Sequence, residues 1–272
     1  MSHDEAHAGP ALRRRTLLGA VGTLACLPLA PGWARASVAG GLPELVAAAR
    51  GSIVPVGLYS ATDNPRFAFR GTGFAVGDGL HVVTNFHVLP ESVDAPGGPT
   101  MMALVPRGGG EHDPRAARVV GTDRVHDLAL LRIDGEPLRP LTLASDTLSP
   151  EGTAVALIGF PVGGVLGFSP VTHRGIVSSV TRIALPAPTA QRLDARAIAR
   201  LREGAFEVYQ LDATAYPGNS GGPVFDTATG AVIGVVNMVL VRGTRESALS
   251  QPTGISYAIP ARWVRELLGT TR

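Results

Sequence analysis

From Ser52 to Ile259 the chain is a succession of short runs of β-branched and other apolar residues, about four to eight long, separated by Gly, Pro, Asp and Asn. This pattern predicts an all-β protein. A first group comprises Ser52–Tyr59, Phe67–Val76, His81–Asn85, Met101–Val105, Ala117–Gly121 and Leu128–Ile133. A second comprises Ala154–Gly159, Thr172–Val180, Glu207–Leu211, Gly222–Phe225, Val232–Leu240 and Ile255–Ile259. Two groups of about six strands predict two closed antiparallel β-barrels, because closure removes exposed strand edges. The expected boundaries are 52–148 and 149–272, with the joint near Ala144–Pro150, a polar stretch ending in proline. Helix is expected in three places. Leu42–Arg50 lies within an N-terminal segment 37–51 and is stopped by Gly51. An insertion near 190–204 has Leu193, Ala197, Ile198 and Leu201 on one face and arginines on the others. A short helix closes the chain.

The 272 residues, 45% hydrophobic and 17% charged, can bury a substantial core. Of the 24 basic and 22 acidic residues, Arg13, Arg14, Arg15 and Arg35 face Asp4 and Glu5 within residues 1–36, so the remainder carries no net charge. With no basic excess to neutralise phosphates, no nucleic-acid partner is expected. Residues 1–36 have the form of an export signal. Arg13-Arg14-Arg15 precede the apolar stretch Thr16–Ala30 and the A-x-A-like site Ala34-Arg35-Ala36. Arg14-Arg15-Thr16-Leu17-Leu18 fits the twin-arginine version. The apolar run is shorter than the ~20 residues of a membrane span and is broken by Pro28, so no membrane insertion is expected after its removal. Thr23 before Leu24-Ala25-Cys26 is a poor match to a lipoprotein signal. The processed chain is expected in the periplasm or outside the cell. Its one cysteine, Cys26, leaves with the signal, so no disulfide is expected.

Chemistry is concentrated in Tyr216-Pro217-Gly218-Asn219-Ser220-Gly221-Gly222-Pro223-Val224, a serine among glycines between two β-type runs. Glycines allow a tight turn that exposes the hydroxyl, and the amides of such a turn can converge on one oxygen. Gly218 to Gly222 also fit the G-x-S-x-G elbow, which needs its acid and its histidine after the serine. No histidine follows His173, so a base for Ser220 must lie upstream. Val82–Leu89 delivers His87 at the end of an apolar run. Asp127 opens Leu128–Ile133, where a short carboxylate can be buried. The order His87, Asp127, Ser220 is that of the chymotrypsin class, with His87 as general base, Asp127 orienting it and Ser220 as nucleophile. His81, His87, His112, His126 and His173 show no H-E-x-x-H and no paired ligand spacing, so neither a metal nor a cofactor is expected. His126 points to the other face of an extended segment and is expected to be a neighbour of the triad, outside it.

The stretches TNFHVL, HDLALLRI, ALIGFPVGG, GIVSSV, YQLDA, YPGNSGGPVF, IGVVN and GISYAIP resemble, block by block and in order, the protease domain of HtrA/Deg-type trypsin-like serine proteases, from Ser52 to Leu268. The resemblance implies chymotrypsin-like barrels with the site in the cleft between them, and a serine endopeptidase acting on polypeptides, unfolded ones among them. It implies an oxyanion hole from the N–H groups of Gly218 and Ser220, and leaves oligomerisation open. It places Thr214, Ala215, Val236, Asn237 and Met238 around the side chain preceding the cut. Thr214 stands where digestive relatives have an aspartate; without it a basic side chain would be buried unpaired, so small to medium apolar residues are expected there. Asn219 stands where those relatives have the aspartate that pairs with a newly cut N-terminus, so no propeptide cleavage beyond signal removal is expected. HtrA proteins usually carry PDZ domains after the protease domain, whereas this sequence ends at Arg272, and activity without PDZ gating is expected.

Overall fold

Two strand-rich halves repeat one topology. The structure, a computed structural model, describes residues 41–90, 100–161, 163, 167–183, 205–237 and 254–271. Helix α1 (Leu42–Ala49) has Pro43 in its first turn, where a missing N–H costs nothing, and buries Leu45 and Ala49. Strands β1 (Ile53–Tyr59), β2 (Phe67–Val76), β3 (His81–Asn85), β4 (Thr100–Gly108), β5 (Glu111–Asp123) and β6 (Leu128–Ile133) form one closed barrel in the order β1-β2-β3-β6-β5-β4. Strands β7 (Ala154–Gly159), β8 (Val171–Ile183), β9 (Phe206–Asp212), β10 (Pro223–Asp226), β11 (Val232–Asn237) and β12 (Ile255–Pro260) form the second, in the order β10-β11-β12-β9-β8-β7. The strand pairs are antiparallel, and β12 runs directly into helix α2 (Ala261–Thr270). The two six-stranded barrels and the closing helix are those expected from the strand spacing. Among the described residues no helix is long and apolar enough to cross a membrane.

The period of two along the strands sorts the core. On β6, Ala129, Leu131 and Ile133 fill the first barrel, while Leu128 and Leu130 point out of it. These outward residues join Phe74 and Val83 against Ile158, Phe160, Val235 and Ile259 from the second barrel, and against Val264 and Leu267 of α2. The seam between barrels is therefore a hydrophobic core in its own right. This explains why β6 is buried along nearly its whole length and reads as a continuous apolar run. The chain passes between barrels where the Leu141 amide donates to Ala75 O at 2.8 Å and the Ala144 amide donates to Val232 O at 2.8 Å.

Strands β4, β5 and β8 are longer than their apolar runs indicate. The β4–β5 hairpin continues through exposed polar residues such as Arg107 and Glu111, where closure of the ladder, rather than burial, extends the pairing. The helix expected near 190–204 and the end of the run Val232–Leu240 lie outside the described residues.

Candidate active site

Strand β3 ends at Asn85 and tightens into a 3-10 turn, Phe86–Val88, that carries His87. The β5–β6 turn brings Asp127 beside it with φ +51, the left-handed region that aspartate tolerates better than most residues. Bonds from the end of β3 hold that conformation: Asp127 O accepts the Phe86 amide at 3.0 Å and Asn85 Nδ2 at 3.0 Å. The carboxylate then faces His87 squarely. Its Oδ1 accepts the His87 backbone amide at 2.8 Å, and its Oδ2 lies 2.6 Å from His87 Nδ1 and accepts Asn237 Nδ2 at 2.8 Å. A carboxylate can only accept, so Nδ1 carries the proton and Nε2 is left with a lone pair for a base to use. Asp127 is buried, but three donors satisfy it.

A second pair repeats the pattern one turn away. Asp123 Oδ1 accepts the His126 amide at 3.0 Å, and Oδ2 lies 2.5 Å from His126 Nδ1. The His126 ring stacks on Trp263 of α2, with centroids 3.7 Å apart, and meets the edge of Phe206. His126 is thus engaged by Asp123, Trp263 and Phe206, and it pins the Asp127-bearing turn to the second barrel; because both residues lie in a turn, the alternation of an extended segment does not apply to them. Asp123 is occupied by His126.

Ser220 sits in the loop between β9 and β10. The amides of its tight turn, Gly218–Gly222, divide into two sets. Asn219 N–H donates to Tyr216 O at 2.9 Å, Gly221 N–H to Val236 O at 3.0 Å and Gly222 N–H to Asn219 O at 2.9 Å. The N–H groups of Gly218 and Ser220 have no acceptor among the described residues. Gly218 needs its φ of +104 and its lack of a side chain, since a Cβ there would lie 2.3 Å from Phe160 O. The serine loop and the histidine turn meet at Gly71, where a Cβ would lie 2.7 Å from Val88 Cγ2 and 3.0 Å from Ser220 O. Ser220 Oγ makes no hydrogen bond to His87 or to any other described residue, and such contacts commonly tighten only when substrate binds.

Of the residues expected around the substrate side chain, Thr214 is half-buried, and Ala215 and Val236 belong to the second barrel's core. Asn237 is buried with its amide on Asp127, a link that strand periodicity could not reveal because the partner belongs to the other barrel. Met238 lies outside the described residues. His173 of β8 lies beside Tyr216, ring centroids 5.7 Å apart, and its Nε2 is buried without a partner. Burial holds this imidazole below its ordinary value of 6.5. The unfolded chain would bind the proton more readily, so this contribution to stability is complete above pH 6.5 and is lost as the pH falls. Melting temperatures from pH 7.5 down to 5 should therefore drop more steeply for the wild type than for His173→Leu; parallel curves would contradict this.

Asn219 is fully buried, and neither polar atom of its amide has a partner. A charge would fare worse. Asn219→Asp should cost about 3 kcal/mol or more in denaturant unfolding, because it places a charge where the buried amide has no hydrogen-bond partner. Undiminished stability would reveal a cationic partner of the zymogen type. Among the described residues no group of His, Cys, Asp and Glu is placed to hold a metal ion.

A family profile described as a trypsin-like peptidase domain matches residues 71–235. Over 190 residues the chain is 31% identical to the probable periplasmic serine endoprotease DegP-like of Pseudomonas fluorescens, covering 70% of this chain and 32% of that protein. The chain thus spans about a third of that relative's length. Among solved structures, the serine endoprotease from Yersinia pestis matches with a TM-score of 0.59 at 21% identity, over 84% of this chain and 65% of that one. The HtrA-type protease AlgW, solved with a decapeptide, matches with a TM-score of 0.59 at 20% identity, over 84% and 66%. These two likenesses concern the fold. The profile match runs from Gly71, where the histidine turn and the serine loop meet, to Val235 in the seam, and so takes in His87, Asp127 and Ser220. The chain belongs to the trypsin-like peptidase domain family.

Proposed function

We propose that this chain is an exported serine endopeptidase in which His87, Asp127 and Ser220 form the catalytic triad. The observation that carries the reading is the pair of amides at Gly218 and Ser220, left without acceptors in a tight turn, Gly218–Gly222, whose other three amides are bonded. They supply two donors for an oxyanion beside the serine, each typically worth about 3 kcal/mol in the transition state. In the proposed reaction Ser220 Oγ attacks the peptide carbonyl carbon and its proton passes to His87 Nε2. The carbonyl oxygen becomes the oxyanion between the two amides. Collapse breaks the C–N bond as His87 returns the proton to the leaving amine. Water, deprotonated by His87, then cleaves the acyl-enzyme and regenerates Ser220. Asp127 holds the histidine with its Nδ1 proton inward and stabilises its cation.

The substrate is a polypeptide. Thr214 offers no charge to a basic side chain, which favours cleavage after small to medium apolar residues. Residues 1–36 serve as the export signal, which agrees with the periplasmic name of the Pseudomonas relative. A fluorophosphonate probe should label Ser220, and casein should be cleaved. Absence of labelling would sink the catalytic reading and leave a binding module. Turnover of short-acyl nitrophenyl esters without casein cleavage would make the chain an esterase.

A further inference from the structure

We propose that Thr72 is a positioning residue that holds the Ser220 loop, from the opposite barrel, in the geometry needed to bind an oxyanion. Thr72 belongs to β2, in the barrel that carries His87, and is fully buried. Its hydroxyl and amide are spent across the seam, and its carbonyl on the neighbouring strand β3. Its hydroxyl donates to Gly218 O at 2.7 Å and accepts the Phe160 amide at 3.1 Å. Its own amide donates to Ser220 O at 2.8 Å, and its carbonyl accepts Thr84 Oγ1 at 2.7 Å.

The two carbonyls held by Thr72 flank Asn219, and the two amides without acceptors belong to the same residues, Gly218 and Ser220. Bonding Gly218 O fixes the peptide plane between residues 218 and 219, whose N–H is already bound by Tyr216 O. The preceding plane carries the Gly218 N–H. It joins that plane at Gly218, held at φ +104 with its Cα packed against Phe160 O, so a shift of the plane that Thr72 holds is passed on to it. The plane after Ser220 is held at both ends, by Thr72 N–H and by Val236 O. The hydroxyl also supports the backbone beneath the loop, because Phe160, whose amide it accepts, supplies the carbonyl against which Gly218 packs. Removing this one hydroxyl frees Gly218 O and strands the Phe160 amide in a dry seam.

The assignment rests on Ser220 being the nucleophile, and the experiment separates the two. Thr72→Val keeps the shape and removes the hydroxyl; Thr72→Ala does the same without a methyl facing Gly218 O, should the valine variant not fold; Thr72→Ser restores the hydroxyl. Rates are expressed per active site titrated with a fluorophosphonate, so partial unfolding does not mimic the effect. Thr72→Val or Thr72→Ala should lower kcat about 10²-fold with KM changed less than about threefold. Affinity for a peptide aldehyde, whose adduct places an oxyanion in the hole, should fall by a similar factor, and Thr72→Ser should recover activity to within about fivefold of wild type. A kcat within about twofold of wild type in the hydroxyl-free variants would overturn the proposal, as would a serine variant as impaired as valine. Wild-type turnover in a Ser220→Ala control would instead overturn the nucleophile assignment.

Discussion

Ser220→Ala should reduce kcat by about 10⁶-fold and leave the fold in place. The hydroxyl is bonded to no described residue, and Ser220 is nearly buried in a loop held by the backbone bonds of its neighbours. Its removal therefore takes away the nucleophile without stranding a buried partner, so the melting temperature should stay close to that of wild type. The measurements are peptide turnover by the purified variant, fluorophosphonate labelling and thermal unfolding. Turnover within tenfold of wild type would mean that another group attacks the substrate.

Asp127→Asn should lower kcat by about 10⁴-fold, and the hydrogen bonds around the carboxylate give the reason. All three groups facing it are donors: the His87 amide, His87 Nδ1–H and Asn237 Nδ2–H. An amide has only one acceptor oxygen. If its NH₂ takes the Oδ2 position, it meets the Asn237 amide and forces His87 Nδ1 to become the acceptor. The proton then moves to Nε2, where the base needs its lone pair. If the NH₂ takes the Oδ1 position instead, it opposes the His87 backbone N–H. Either arrangement is costly, and the first is catalytically wrong. A loss below tenfold would require another acid to orient His87. Asp123 is poorly placed for that, since both its oxygens are engaged by His126.

The two predictions draw on residues that differ in how far the sequence could identify them. His87, Asp127 and Ser220 stand out because each sits at the end or start of an apolar run, or among glycines, and because their order leaves one arrangement open. The roles of Asn237 and Thr72 do not stand out. Asn237 reads as an interior position of the run Val232–Leu240 and, by resemblance, as a neighbour of the substrate side chain, whereas its amide reaches a carboxylate 110 positions away. Thr72 reads as one small residue in a glycine-flanked strand, and its hydroxyl reaches a carbonyl 146 positions away. Neither bond has a periodicity to announce it.

The all-β class, the twelve strands in two groups and the closing helix are legible in the sequence, because alternation and turn residues act over a few neighbours. Their lengths were less legible where exposed polar strands such as β5 are extended by ladder closure. How the two halves of the site are held together is settled only when the barrels pack. Leu128, Leu130, Phe160 and Val235 turn outward into a shared seam, Asn237 and Thr72 carry hydrogen bonds across it, and His126 stacks on Trp263. These contacts join segments far apart in the chain, and their energy comes from burying one barrel's face and its polar groups against the other's, which local pattern does not encode.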